Sequence, residues 1–190
     1  RDTDRSRGLG DVYKRQVTTH KIVEKLRSFG LDPIYGRQVI NPEFVAGRNP
    51  AKVEEAKKAA LEKGVPPEFI ESMQGYTGVA AIFETGRPGP VLAIRFDMDC
   101  VDVDEAHEAG HRPFDEGWAS TNPGHMHSCG HDGHTTMGIA VCNWIQENLD
   151  QFCGTIKVVF QPAEEGVRGA RPMTETGIFD DVDFLSLIHI

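Results

Sequence analysis

Two short segments of the chain carry the side chains that hydrolytic metal centres use. Residues 127–134 include Cys129 and His131, and a second segment holds the adjacent carboxylates Glu164 and Glu165. Thiolate, imidazole and carboxylate groups are ligands of divalent metal ions, and a carboxylate beside such ions can also carry a proton. The pattern therefore indicates a hydrolytic centre that contains divalent metals.

Four further residues are candidates for supporting these ligands. Asp97 and Asp99 are two positions apart, so they share one face of an extended segment and could hold metal or orient a ligand imidazole. Asp132 falls in the first turn of a predicted helix, and His134 is three residues after His131, on the same side of that helix. We expect these four residues to lie directly behind the metal ligands.

Other interpretations of the same residues remain open at this point. Glu164 and Glu165 would also suit the exposed start of a helix, where carboxylates interact favourably with the helix dipole. Cys129 could be a nucleophile with a histidine base, although that arrangement gives the glutamate pair no task. A structural zinc knuckle of the finger type needs a closely spaced cysteine pair such as Cys-x-x-Cys, and the sequence has none.

Periodicity predicts an α/β fold in which a mostly parallel sheet is flanked by helices. Helices are predicted at residues 17–29, 51–63, 131–148 and 169–176, and strands at 77–83, 91–96, 155–160 and 182–190. From residue 91 onward strands and helices alternate, which favours parallel strands. The candidate residues then gather at the carboxyl ends of those strands, where sites in such sheets lie.

Local sequence patterns also predict features of one long loop, of two cysteines and of the helix that connects the strands. Residues 97–124 are polar and without periodicity, which is typical of a functional loop. Cys142 and Cys153 are expected to be inert core residues. The apolar face of helix 131–148 is predicted to consist of Met137, Ile139, Ala140, Trp144 and Ile145.

The composition of the chain limits the kinds of partner that it is expected to bind and the compartment in which it is expected. The net charge of -9 argues against nucleic acid, because phosphate binding requires a basic surface. The sequence has no apolar run long enough for a membrane, and its four cysteines form no dense framework, which favours the cytoplasm. Residues 1–16 are charged and resemble non-native adapter sequence. Residues 185–190 fit two interpretations equally well, a tail of the same kind or a buried strand.

The segments Cys129-Gly130-His131-Asp132-Gly133-His134 and Gln161-Pro162-Ala163-Glu164-Glu165-Gly166, preceded by Asp97-Met98-Asp99, resemble the M20-type metallopeptidase and amidohydrolase family. The resemblance is to its branch that splits N-acyl amino acids. It implies that residues 17–190 are the amino-terminal part of a catalytic domain with a di-metal exopeptidase-like fold. The rest of that domain and a lid domain that mediates dimerisation would lie outside this sequence.

The resemblance also implies roles for individual residues. Cys129, His131, Glu165 and His189 would be metal ligands, and Glu164 would be the general base for a metal-activated water that attacks an amide bond. Two divalent ions are implied, with Mn²⁺ favoured over Zn²⁺. The substrate would be a small N-acyl or N-aroyl amino acid, and the parent would be a homodimer or a heterodimer with a homologous subunit. The alternatives are a cysteine-nucleophile hydrolase and a metal-binding partner protein of the same fold that is catalytically silent.

Overall fold

The computed structural model describes residues 15–187, and these form one open sheet with helices on both faces. The helices are α1 (Gln16–Ser28), α2 (Pro50–Glu62), α3 (Pro67–Ser72), α4 (Arg112–Asp115), α5 (His131–Glu147) and α6 (Ala170–Thr174). The strands are β1 (Ile34–Tyr35), β2 (Val79–Glu84), β3 (Val91–Asp97), β4 (Thr155–Gln161) and β5 (Phe184–Leu187). Short 3₁₀ turns lie at Gly36–Gln38, Pro42–Phe44 and Leu149–Gln151.

The strand order is β1-β2-β4-β3-β5, and the sheet is mixed. β3 pairs in parallel with both β4 and β5, as the alternating pattern predicted. β2 is antiparallel to β4 and to β1. The predicted α/β class is thus confirmed, with the parallel pairing confined to the strands that follow residue 91. Because β3 and β4 are parallel neighbours, Asp97 lies beside Gln161 and both strands end at the same edge.

Two apolar clusters hold the helices against the two faces of the sheet. The larger one packs α1, α3 and α5 against one face through Ile22, Leu26, Phe69, Cys142, Ile145, Val158 and Phe160. The smaller one covers the other face through Val39, Ile40, Tyr76, Ala80, Val159, Ala163 and Met173. Burial on both faces explains why β4 is apolar along most of its length.

The prediction that Met137 and Trp144 lie on the buried face of α5 was wrong. Met137 and Trp144 are 47% and 55% exposed, and Ala140 is also exposed. The buried face instead carries Gly138 and Cys142. A Cβ atom on Gly138 would come within 2.6 Å of the Phe160 ring. Small residues therefore let α5 approach the sheet closely, and the bulky ones are left on the solvent side.

Two other local expectations change. Cys153 is exposed and so is not a core residue, whereas Cys142 is fully buried as predicted. Burial raises the pKa of the Cys142 thiol to about 12, which keeps it protonated and unreactive. The long loop contains the short helix α4, and its ends are joined by an isolated antiparallel bridge between Val101 and Met126.

The ends of the described region also refine the expectations. α1 starts at Gln16, whose side chain is buried, one residue before the boundary predicted from composition. β5 forms as a strand, but its four residues are exposed rather than buried. Residues 1–14 of the adapter-like segment, and residues 188–190, lie outside the described residues. Across residues 15–187, no helix has both the length and the apolar character needed to cross a membrane.

Candidate metal centre

His131 is the first residue of α5 and is almost fully buried. The residue before it, Gly130, has a φ of 77°, a left-handed conformation that glycine adopts without strain and that turns the chain into the helix. The Nδ1 atom of His131 lies 3.2 Å from Oδ1 of Asp99, just beyond the end of β3. If Nδ1 donates to Asp99, the lone pair on Nε2 is left for another partner, the arrangement typical of metal-bound histidines.

Three carboxylate oxygens surround the Nε2 atom of His131. They are Oδ1 of Asp97 at 3.6 Å, Oε2 of Glu164 at 3.8 Å and Oε1 of Glu165 at 3.7 Å. These separations are too long for hydrogen bonds. They are close to the roughly 3–3.5 Å expected between two ligands that each bind one divalent ion at about 2.1 Å. The two glutamate oxygens and Nε2 therefore fit a shared cation, whereas Oδ1 of Asp97 has a nearer partner in Nδ1 of His134.

Cys129 joins the same group through Glu165. Its thiol hydrogen-bonds the Glu165 side chain, and this contact, with burial and the Glu165 charge added, raises the thiol pKa. A raised pKa means that a proton occupies the sulfur when no metal is bound. Because the thiolate is the form that coordinates, metal binding here must release that proton.

The pKa of His131 is also raised. Burial alone would lower it, but the Asp99 hydrogen bond and the charges of Asp97, Asp99 and Glu165 together outweigh burial. Four carboxylates thus crowd one imidazole, which is costly unless positive charge is nearby. The imidazole and carboxylate donors, the short distances between them and this excess of negative charge all fit a divalent metal.

The two glutamates sit on a tight turn at the end of β4. Ala163 and Val167 on either side of the pair have φ angles of 56° and 52°, a conformation that costs non-glycine residues energy. The backbone N–H of Glu165 donates to Oδ2 of Asp99 over 3.1 Å, which ties the turn to the end of β3. The Glu164 side chain is 36% exposed and that of Glu165 is 18% exposed. The former is the better placed to meet a substrate and the latter to hold an ion.

Asp97 and His134 form a hydrogen-bonded pair beside this group. Oδ1 of Asp97 lies 2.6 Å from Nδ1 of His134, so these two atoms already contact each other directly. Asp97, His131 and His134 are also close enough to count as a possible metal site. The direct Asp97–His134 contact leaves no room for an ion between those atoms, and we interpret the pair as support for the ligands.

The structure brings together most of the residues selected from the sequence. We call the following set the His131 cluster: Asp97, Asp99, Cys129, His131, His134, Glu164 and Glu165. Asp132 does not join it. That residue is exposed, and its carboxylate accepts the backbone N–H of Gly133. His189, predicted as a further ligand, lies outside the described residues.

One residue of the site was missed. Arg95, within β3, is 8% exposed and donates from Nη1 to Oδ2 of Asp97 over 3.0 Å. The signal was present in the sequence, because a single arginine interrupts the otherwise apolar run before Asp97. A strand buried on both faces accommodates such a residue only when it is paired.

Comparison with known proteins places this geometry in context. Residues 93–190 match the model of peptidase family M20/M25/M40. A Haemophilus influenzae homologue of one of the subunits of p-aminobenzoyl-glutamate hydrolase is 47% identical over 174 residues, which are 91% of this chain and 41% of that protein. The indole-3-acetyl-aspartic acid hydrolase of Enterobacter agglomerans is 43% identical over 175 residues, 91% of this chain and 40% of that protein.

Two solved structures share the fold. The aminobenzoyl-glutamate utilization protein from Klebsiella pneumoniae superposes with a TM-score of 0.72 at 32% identity, over 96% of this chain and 40% of that one. A Bacillus subtilis protein described as a dinuclear metal binding peptidase from the M20 family gives 0.66 at 25% identity, over 97% and 39%. The chain therefore spans about two fifths of the length of these relatives.

Proposed function

Because the chain belongs to peptidase family M20/M25/M40, we propose that it forms the metal-binding part of an amidohydrolase. The proposed reaction is hydrolysis of the amide bond in N-acyl or N-aroyl amino acids. The observation that carries the proposal is the approach of the Glu164 and Glu165 carboxylate oxygens to 3.8 and 3.7 Å from Nε2 of His131. In this proposal residues 17–190 are the amino-terminal part of the catalytic domain.

The metal ligands in the proposal are Cys129, His131 and Glu165, with His189 as a fourth. Two divalent ions are proposed, and the carboxylate-rich donor set favours Mn²⁺ over Zn²⁺. When bound, such ions supply Lewis acidity to the substrate carbonyl and to a water molecule. Asp99 keeps His131 in the tautomer whose Nε2 atom can coordinate, because its carboxylate accepts from Nδ1.

Glu164 is the proposed proton carrier. Its carboxylate lies beside the ligand Glu165 but is twice as exposed, which leaves it able to reach a substrate. It would accept the proton of the attacking water and then deliver it to the nitrogen of the leaving amino acid. The turn that carries Glu164 is restrained by the hydrogen bond from the Glu165 N–H to Asp99, which fixes the distance between the Glu164 carboxylate and the proposed ligands.

The substrate class follows from the relatives by analogy. Two of them are named for the hydrolysis of p-aminobenzoyl-glutamate and of indole-3-acetyl-aspartic acid. Both compounds join an aromatic acyl group to an acidic amino acid. We therefore propose p-aminobenzoyl-glutamate as the first compound to test. The first of these relatives is named as a homologue of one subunit of such a hydrolase, which supports a homologous second subunit for this protein, with a homodimer as the alternative. The cytoplasm is the proposed location.

The structure weighs against a cysteine-nucleophile hydrolase. An activated thiol has a lowered pKa, whereas the contact with Glu165 raises the pKa of Cys129. The second alternative, a catalytically silent metal-binding partner, would share the ligands and lack only turnover. The two remaining possibilities therefore differ in one measurable quantity, the rate of hydrolysis by the metal-loaded protein.

The experiment compares Glu164→Ala and His131→Ala in the full-length protein that carries this sequence. We expect Glu164→Ala to retain Mn²⁺ and to lose hydrolysis of p-aminobenzoyl-glutamate by about 10²–10⁴-fold, as for loss of a general base. His131→Ala should lose both metal and activity. Asp132→Ala is the matched control, because its exposed carboxylate is next to His131 in the chain. Full activity in Glu164→Ala would contradict the proposal, and a metal-binding wild type without turnover would favour the silent partner.

A further inference from the structure

A buried guanidinium lies directly beneath the His131 cluster. Arg95 is on β3 and is 8% exposed, although a charged group in such a position is costly unless its hydrogen bonds are satisfied. Its Nε atom donates to Oε1 of Gln161 over 2.9 Å, and its Nη1 atom donates to Oδ2 of Asp97 over 3.0 Å. The planar guanidinium thus connects the last residues of two neighbouring strands.

Asp97 lies between Arg95 and the two histidines of the cluster, His131 and His134. Its side chain has no exposed surface, and its two oxygens have different partners. Oδ2 accepts from Arg95, while Oδ1 contacts Nδ1 of His134 at 2.6 Å and lies 3.6 Å from Nε2 of His131. The backbone carbonyl of Asp97 also accepts from the hydroxyl of Thr135 over 3.1 Å. Asp97 is therefore fixed from the strand side and from the α5 side.

We propose that Arg95 is a positioning residue of the metal centre that keeps Asp97 out of the coordination sphere. By holding Oδ2, it leaves Oδ1 directed at His134 and prevents the carboxylate from rotating toward a cation on Nε2 of His131. Without Arg95, Oδ2 of Asp97 would lose its donor and would be a buried carboxylate oxygen within a few ångströms of that cation. The attraction between them would then favour Asp97 as an additional carboxylate ligand.

The competing explanation is that Arg95 merely stabilises the sheet, and the chain offers a matched control for it. Lys157 is on β4 opposite Ala93, so it shares the sheet face with Arg95. It is 7% exposed and donates to the Asp181 carboxylate and to the backbone carbonyl of Ile178. Lys157 is thus also a buried cation with a carboxylate partner, but that partner lies outside the His131 cluster.

The test compares Arg95→Met and Lys157→Met in the full-length protein, with Co²⁺ as the probe. We expect the visible absorption spectrum of the Co²⁺-loaded protein to change in Arg95→Met, because a carboxylate joins the ion, and to stay at the wild-type spectrum in Lys157→Met. In the metal-free protein, the NMR signal of the His134 Nδ1 proton should shift in Arg95→Met only. Melting temperatures establish that both variants fold.

The activity readout rests on the proposed function and is kept separate from the spectra. With p-aminobenzoyl-glutamate, kcat of Arg95→Met should fall by about 10–100-fold, the range typical of removing a hydrogen-bonding group from the surroundings of a metal centre. KM should stay within about threefold, because Arg95 is buried beneath the site. If the wild type binds Co²⁺ without turnover, the proposed function fails, while the spectral comparison still decides the role of Arg95. Identical spectra for both variants and the wild type would overturn the inference.

A second pair of variants covers the case in which Arg95→Met does not fold. Arg95→Lys keeps the charge but cannot bridge Gln161 and Asp97 with the planar two-nitrogen geometry of a guanidinium. We expect its Co²⁺ spectrum to shift in the same direction by a smaller amount. The reciprocal variant Lys157→Arg should leave the spectrum unchanged. A wild-type spectrum in Arg95→Lys would overturn the inference, because the geometry of the contact would then be immaterial.

Discussion

Charged side chains are arranged differently at the two ends of the paired strands β3 and β4. At the amino end, Asp183 accepts the backbone N–H of Val91 over 2.8 Å, and Arg87 donates to backbone carbonyls of Leu149 and Phe152. Both of these charged side chains have partners within the chain. At the carboxyl end, four carboxylates crowd around the imidazole of His131.

The difference shows which end is built for a ligand. Local pairing at the amino end needs nothing from outside the chain. The excess negative charge at the carboxyl end is stable only if a cation or bound protons compensate it. The raised pKa values of Cys129 and His131 express the same imbalance, since both groups hold protons more tightly there. The predictions below test this contrast, beginning with the largest expected effect.

Addition of Mn²⁺ should stabilise the protein through the carboxyl end alone. At a free concentration of about 100 times Kd, a ligand that binds only the folded state adds about 2.7 kcal/mol to the free energy of unfolding. Denaturant titrations with Mn²⁺ and with a chelator measure this directly. In Glu165→Gln the added stability should largely disappear. An equal increase in that variant would show that Mn²⁺ binds elsewhere.

Matched aspartate variants compare the two ends directly. Asp99→Ala removes the acceptor of His131 Nδ1 and of the Glu165 N–H, so Mn²⁺ affinity should fall by about 10–100-fold, or roughly 1.4–2.8 kcal/mol. Asp183→Ala removes an acceptor at the amino end and should leave the affinity at the wild-type value. Calorimetric titration with Mn²⁺ provides both numbers. Equal losses in the two variants would remove the distinction between the ends.

Substitution of Gly138 tests whether the carboxyl end of the strands depends on close packing of α5 against the sheet. A Cβ atom there would meet the Phe160 ring at 2.6 Å and the Phe96 ring at 2.8 Å. We expect Gly138→Ala to cost about 1–2 kcal/mol of stability, since overpacking outweighs the better helix propensity of alanine. Ala140→Gly, on the exposed side of α5, is the control and should lower stability only through helix propensity. Thermal or denaturant unfolding measures both. A more stable Gly138→Ala would show that α5 can move outward freely.

The smallest effect concerns the pH dependence of stability away from the metal. The hydrogen bond from Lys157 lowers the pKa of Asp181. A carboxylate with a lowered folded-state pKa contributes stability above its unfolded pKa, near 3.9, and loses that contribution as the pH falls toward the folded value. In Lys157→Met the decline of melting temperature below about pH 4 should therefore be slightly shallower than in the wild type. An unchanged acid profile in metal-free samples would contradict the assignment.

Much of the fold was accessible from local patterns, and the failures have specific causes. The helix at residues 131–148 and the strand at 155–160 were found because the spacing of apolar residues and the glycine at position 154 before the strand are local signals. The orientation of α5 was misjudged, because Met137, Ala140 and Trp144 were assigned to the buried face from their apolar character. Close contact with the sheet selected Gly138 and Cys142 instead.

The candidate site shows the same division. Residue types and motifs selected Cys129, His131, Glu164 and Glu165, and the strand order correctly implied a common edge. Asp132 was grouped with them by proximity in sequence, although a helix turns successive side chains in different directions. Arg95 was overlooked because its role depends on contacts with Asp97 and with Gln161 on the neighbouring strand.

The sequence by itself determined the chemical types of the candidate ligands, the alternation of strands and helices, and the family. Only the tertiary structure decided which oxygens face the Nε2 atom of His131, which glutamate is the more exposed, and which cation restrains Asp97. The reason is physical: local composition sets the backbone path and the available donor atoms. The distances between those atoms arise only when strands that are distant in sequence pair and a helix packs across their ends.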